Sequence, residues 1–106
     1  ITCLQKDLIA LTEEGQIVGH GFLWGIQGKV PELGLGIADR YQNLGLGHVF
    51  MELLIGYARD VLGKERIRLS VYKRNMRARH LYDKFGFQVI EQHRTPRWTI
   101  LTSWRI

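Results

Sequence analysis

The chain is 106 residues long, the size of a single domain, and its 45% hydrophobic and 24% charged residues exclude a disordered or fibrous protein. Fifteen Lys and Arg against ten Asp and Glu leave a net charge of +5, which suits an anionic ligand (nucleic acid, phosphate or a phosphorylated cofactor) without choosing among them. The single cysteine, Cys3, excludes an internal disulfide and fits a reducing, cytoplasmic setting, and no apolar run reaches the ~18 residues of a membrane span.

The chain opens at Ile1 with no basic or signal-like stretch, so a processed protein or a piece of a longer one is expected. Asp7 to Glu13 reads as a first strand, Glu14-Gly15 as a hairpin turn, and Gln16 to Trp24 as a second strand with Val18, Phe22 and Trp24 on one face. His20, mid-strand, reads as a buried histidine with a satisfied ring. Eight of the twelve glycines fall between Gly19 and Gly47, a concentration that needs a reason. Part of it lies in Glu32 to Ala38, a third strand with Leu33, Leu35 and Ile37 on one face and Glu32, Gly34, Gly36 and Ala38 on the other. That second face is nearly bare, as where a ligand or another element approaches the backbone.

Leu46 to Leu62 has the helical period, with Leu46, Val49, Phe50, Leu53, Leu54, Tyr57, Ala58 and Val61 forming a stripe and Gly63 a stop. Ile67, Leu69 and Val71 alternate with polar residues as a fourth strand. Asn75 is an N-cap candidate for a second helix that buries Ala78, Leu81, Tyr82 and Phe85 and ends at Gly86. Phe87 to His93 and Trp98 to Ile106 read as two closing strands. Pro31 and Pro96 fall at strand edges. The order β-β-β-α-β-α-β-β predicts a mixed α/β (α+β) fold, one domain, with a largely antiparallel sheet and one right-handed parallel crossover from Glu32 to Tyr72.

The sharpest local feature is Gln42-Asn43-Leu44-Gly45-Leu46-Gly47, set between a strand and a helix. Glycines there let amides turn inward and admit a phosphate, and the first helical turn adds unpaired N–H groups and the positive end of the helix dipole. It is not a Walker loop, because no Lys-Ser/Thr follows the last glycine. Gln-x-x-Gly-x-Gly in this setting resembles the acyl-CoA loop of the GNAT N-acetyltransferase family. Asn75-Met76-Arg77-Ala78-Arg79-His80-Leu81-Tyr82-Asp83-Lys84-Phe85-Gly86-Phe87 resembles that family's second signature, and Pro31 to Leu35 resembles its fourth strand. Together these span residues 31 to 87.

The resemblance implies an acyl-CoA N-acyltransferase-like fold and an acetyl-CoA-dependent transfer to a primary amine of a small molecule or a protein, without metal. It implies that Gln42, Asn43, Leu44, Gly45, Leu46, Gly47 and His48 hold the CoA diphosphate, and that backbone of Ile37, Ala38 and Asp39 pairs with pantetheine. Asn75 and Arg77 fall beside the cofactor, and Tyr82 is the residue that gives a proton to the leaving thiolate. Glu32, the charged residue on the bare strand face, is the candidate general base, with His20 as a weaker one. Arg74, Arg77, Arg79 and Lys84 read either as a solvated basic face or as phosphate contacts, and His80 and His93 as surface residues. The family's domain normally opens with a further strand and a helix pair, and only six residues precede Asp7 here; an edge left open in that way favours a homodimer. The alternative is a non-catalytic CoA-binding module of the same fold. A nucleic-acid binder would need a basic–aromatic recognition motif, which the sequence does not show.

Overall fold

The computed structural model of the chain describes residues 5–42, 44–72, 74–92 and 98–103, the stretches 89–92 and 98–103 by their backbone. Cys3, His93, Pro96 and Trp104 lie outside the described residues, as does the side chain of Trp98. The elements follow the expected order: β1 (Gln5–Leu11), β2 (Ile17–Trp24), β3 (Glu32–Ile37), a 3-10 turn (Asp39–Tyr41), α1 (Leu46–Asp60), β4 (Arg68–Tyr72), α2 (Met76–Lys84), β5 (Phe87–Gln92) and β6 (Trp98–Ser103). The six strands make one sheet in the order β1-β2-β3-β4-β6-β5. Only β3 and β4 run parallel; the other four pairings are antiparallel. No helix among the described residues is long and apolar enough to cross a membrane.

Local chemistry sets the joints. The β1–β2 turn closes with the Gly15 amide donating to the Thr12 carbonyl at 3.0 Å, and Gly15 takes φ 88°, which a side chain would resist. Gly63 and Gly86, at φ 67° and 84°, end the two helices as their positions predict. The Asn75 side chain caps α2 by accepting from the Ala78 amide at 3.1 Å.

The helices cover one face of the sheet. Ideal β-carbons placed on Gly19 and Gly21 would come within 2.8 Å of the Phe50 ring and 2.9 Å of Leu54, so these two glycines are the seat of α1. The core around that seat joins Leu23, Leu33, Met51, Leu54, Ala58, Ile67, Leu69 and Val71, each almost fully buried. A buried Leu or Ile here contributes about 2 kcal/mol of transfer free energy. The seat also corrects the helical stripe. Phe50, Met51, Leu54, Ile55 and Ala58 are buried, whereas Val49, Leu53 and Val61 are about half exposed or more. Both stripes satisfy the period, and contact with the β2 glycines selects between them.

The opposite face carries His20, Phe22 and Trp24. His20 is not a buried histidine there: its side chain is 47% exposed and bonded to Asp7. On this face Gly34 is already filled by a neighbour, since a β-carbon would fall 2.1 Å from the Phe22 ring. Gly36, next along the same face, has nothing within 4 Å of that position. The bare face of β3 thus serves two purposes, packing at Gly34 and open space at Gly36. Gly34→Ala is expected to cost about 2 kcal/mol in a urea melt. Adding Phe22→Ala should make the pair lose less than the sum of the two single losses; additive losses would mean the ring does not occupy that space.

Candidate active site

The site begins where β3 and β4 stop pairing. Their register covers only Glu32 with Arg68 and Leu33 with Leu69, so Gly34 to Ile37 has no partner on that side. Backbone groups alternate along a strand. The Pro31 carbonyl accepts from Arg68 on β4, and the Ala38 amide donates to the Val18 carbonyl on β2 at 2.9 Å. Odd-numbered residues of β3 therefore face β4, and the amides of Leu35 and Ile37 open into the gap. Ala38, expected to pair with a ligand, instead has its amide committed to β2. Asp39 starts the 3-10 turn, and its carboxylate accepts from the Gln42 side chain at 3.2 Å.

The turn that follows has the form its glycines require. Gly45 is left-handed, φ 80°, and stands just before α1. The first helical bond runs from the Val49 amide to the Gly45 carbonyl at 3.2 Å, so the amides of Leu46, Gly47 and His48 have no partner within the helix. No side chain caps this end and no acidic residue occupies its first turn. The positive end of the helix is left to a ligand.

A cavity of about 530 Å³ joins the gap to the turn, with α2 as its other wall. Of the expected site residues, Ile37, Gln42, Gly45, Leu46, Gly47 and His48 line it from β3, the turn and α1. Asn75, Arg77 and Tyr82 line it from α2. Ala38, Asp39 and Leu44 lie outside the lining, Leu44 being 67% exposed, and Asn43 is outside the described residues. The sequence reading missed Leu35, Gly36, Tyr41 and His80, and left Lys84 open between a solvated face and a phosphate contact; all five line the cavity.

Gln42 ties the walls together. Its amide nitrogen donates to the Ile37 carbonyl and to Asp39, and its oxygen accepts from the Arg77 guanidinium. His48 is held by Glu52 at 2.7 Å and packs its ring 4.9 Å from Phe85. Tyr82 is 6% exposed, its ring 6.0 Å from Phe87. Burial pushes the Tyr82 phenol above its ordinary value, and among the described residues nothing hydrogen-bonds its hydroxyl. A buried hydroxyl without a partner is costly unless a ligand supplies one.

Glu32 is not brought into the cavity. It stands at the foot of the gap, on the sheet face away from the helices, where its carboxylate accepts from the Ser70 hydroxyl at 3.4 Å. His20 pairs in register with Gly36 on that same face, and its bond to Asp7, 2.7 Å long, holds the Asp7 carboxyl below the usual range.

A model of the acetyltransferase (GNAT) family matches residues 4–87. The chain is 33% identical over 95 residues to the spermine/spermidine N(1)-acetyltransferase of Bacillus subtilis, covering 81% of this chain and 62% of that protein. It is 29% identical over 89 residues to the L-amino acid N-acetyltransferase AaaT of Escherichia coli, covering 79% and 54%. The chain thus spans less than two thirds of these curated relatives. A GNAT-family acetyltransferase of Streptococcus pneumoniae superposes with a TM-score of 0.84 at 29% identity, over 97% of this chain and 68% of that one. The spermidine N-acetyltransferase of Vibrio cholerae, solved with CoA and spermine, shares the fold, with a TM-score of 0.81 at 18% identity over 96% and 66%. With a family match that takes in both signatures and most of the sheet, the chain belongs to the GNAT acetyltransferase family.

Proposed function

We propose that the protein binds acetyl-CoA in this cavity and transfers the acetyl group directly to a primary amine, with polyamines as the first acceptor class to test. The observation that carries the reading is the continuity of one cavity from unpaired strand amides to unpaired helix amides, with the Tyr82 phenol on its wall. The helix end suits the diphosphate, and the amides of Leu35 and Ile37 suit the amide-bearing pantetheine arm, as an added strand would. The polyamine class is supported by the Bacillus subtilis relative.

The chemistry follows from the groups available. An alkyl ammonium with a pKa near 10.4 must lose a proton before its nitrogen can attack. Glu32, at the foot of the gap on the face away from the helices, is the proposed base, reaching the amine through water. Attack forms the C–N bond and turns the thioester oxygen into an oxyanion, for which strand amides are suitable donors. Collapse breaks the C–S bond, and the Tyr82 hydroxyl donates to the departing sulfur. The adduct nitrogen gives up its second proton, which returns through water to the phenolate, and Glu32 releases to solvent the proton it took from the ammonium. Overall, the ammonium and the thioester give an amide, a free thiol and one proton.

The test is release of thiol from acetyl-CoA with spermine, spermidine and a set of amino acids. Release that requires an amine is expected, with a polyamine giving the highest kcat/KM. CoA binding with no release for any amine would favour the non-catalytic module, and absence of CoA binding would remove both readings.

A further inference from the structure

The gap between β3 and β4 has a closed end. The cavity follows β3 from Ile37 back to Leu35 and does not reach Gly34. Beyond it the strands pair at Leu33 with Leu69, both almost fully buried. On the helix side this end is solid, because Leu33, Leu69, Val71 and Tyr82 join one buried cluster. On the other face the cover is Phe22. The tip of its ring, Cζ with both Cε atoms, fills the space that a Gly34 β-carbon would take. Phe22 stands on β2, the neighbour of β3 on the side away from the gap. A ring whose tip lies over Gly34 reaches across β3 toward the gap. Two residues along, Gly36 has nothing over it. Packing alone accounts for a ring on a glycine. It does not account for a bare row that is covered at the closed end of the gap and left open further along.

The transfer proposed above sets the sulfur beside Tyr82 and brings the amine in on the face that carries Glu32. The acyl group then lies in the gap, its carbonyl on the strand amides, and its carbon chain has two directions in which to grow. Outward over Gly36 it takes the space through which the amine arrives. Toward the foot it meets the Leu33–Leu69 pair and the Phe22 ring. Resting on the transferase reading, we infer that Phe22 is the acyl-length stop: its ring holds the closed end of the gap to the size of an acetyl group, so that longer acyl thioesters are poor donors. A close-packed wall discriminates by overlap, because added carbons force side chains or backbone to move. One methylene in an apolar pocket changes kcat/KM by about 10- to 200-fold.

The experiment is thiol release by the full chain from acetyl-, propionyl- and butyryl-CoA, with the amines named above, in wild type, Phe22→Leu and Phe22→Ala. Wild type should lose about tenfold in kcat/KM from acetyl- to propionyl-CoA and about 100-fold from acetyl- to butyryl-CoA. Phe22→Ala should bring butyryl-CoA within about tenfold of acetyl-CoA by raising its use of the longer donor, and Phe22→Leu, which keeps a shorter apolar cover, should fall between. The ratio compares two thioesters in one variant, so a loss of folded protein lowers both alike; should Phe22→Ala not fold, the shift is read in Phe22→Leu. A wild type that uses butyryl-CoA as well as acetyl-CoA, or a preference unchanged in the folded variants, would overturn the stop and leave the transferase reading standing. No release from any thioester in wild type would remove the reading and the stop together.

Discussion

Replacing Tyr82 with phenylalanine should lower kcat by about 100-fold while the affinity for CoA changes by less than about twofold. The ring would stay, along with its packing against Phe87; only the hydroxyl would leave. Because no described residue bonds that hydroxyl, its loss should not destabilise the chain, and the melting temperature of Tyr82→Phe should equal or exceed that of wild type. A drop in turnover without a drop in stability separates a chemical role from a structural one. The pH dependence gives a second readout. Burial raises the phenol's pKa in the folded chain, so the group stays protonated beyond its ordinary value near 10. Turnover should rise with pH as the acceptor amine loses its proton, and show no falling limb from Tyr82 below about pH 10. The same sign holds for folding: the neutral phenol is the buried form, so its contribution is intact below the unfolded value and is lost as pH climbs past it. An unchanged rate in Tyr82→Phe would take the proton-donor role from this residue.

What the sequence discloses about this site is what the backbone decides locally. Gly45, Gly63 and Gly86 announce left-handed positions, Asn75 a cap, and Gln42 to Gly47 an amide-lined turn, because each depends on residues within a few places of itself. What it hides depends on long-range contact. The stripe of α1 was ambiguous because two overlapping rows of apolar residues share the period, and the choice rests on Gly19 and Gly21, some thirty residues earlier, receiving Phe50 and Leu54. Gly34 and Gly36 look alike in sequence, yet one is covered by Phe22 and the other left open, which only the β2–β3 register decides. Ala38 reads as a residue with a free amide until the neighbouring strand takes it. His80 reads as a surface residue and Lys84 as either a solvated charge or a phosphate contact, although a signal was present: His80 stands three residues after Arg77, and Lys84 three after Leu81.

Gly47→Glu should abolish CoA binding at hundreds of micromolar ligand, and Gly45→Glu should do the same by a partly different route. At Gly47 the added β-carbon would crowd the end of the Leu81 side chain, at 2.9 Å, a contact that a small rotation relieves, and would touch Leu35 at an ordinary 3.9 Å. The fold should persist, and the carboxylate would sit among the unpaired amides of the first helical turn, satisfying them and repelling a diphosphate. At Gly45 there is room for a side chain, but φ 80° makes any residue with a β-carbon strained by about 1 kcal/mol or more. Gly45→Asn, which tolerates that conformation, and Gly47→Ala, which adds bulk without charge, separate shape from electrostatics. Both should bind CoA within about tenfold of wild type, because neither places an anion at the helix end. If folded Gly47→Glu or Gly45→Glu kept wild-type affinity, the diphosphate could not rest on these amides, and the cavity's continuity from strand to helix would no longer argue for a thioester held between them.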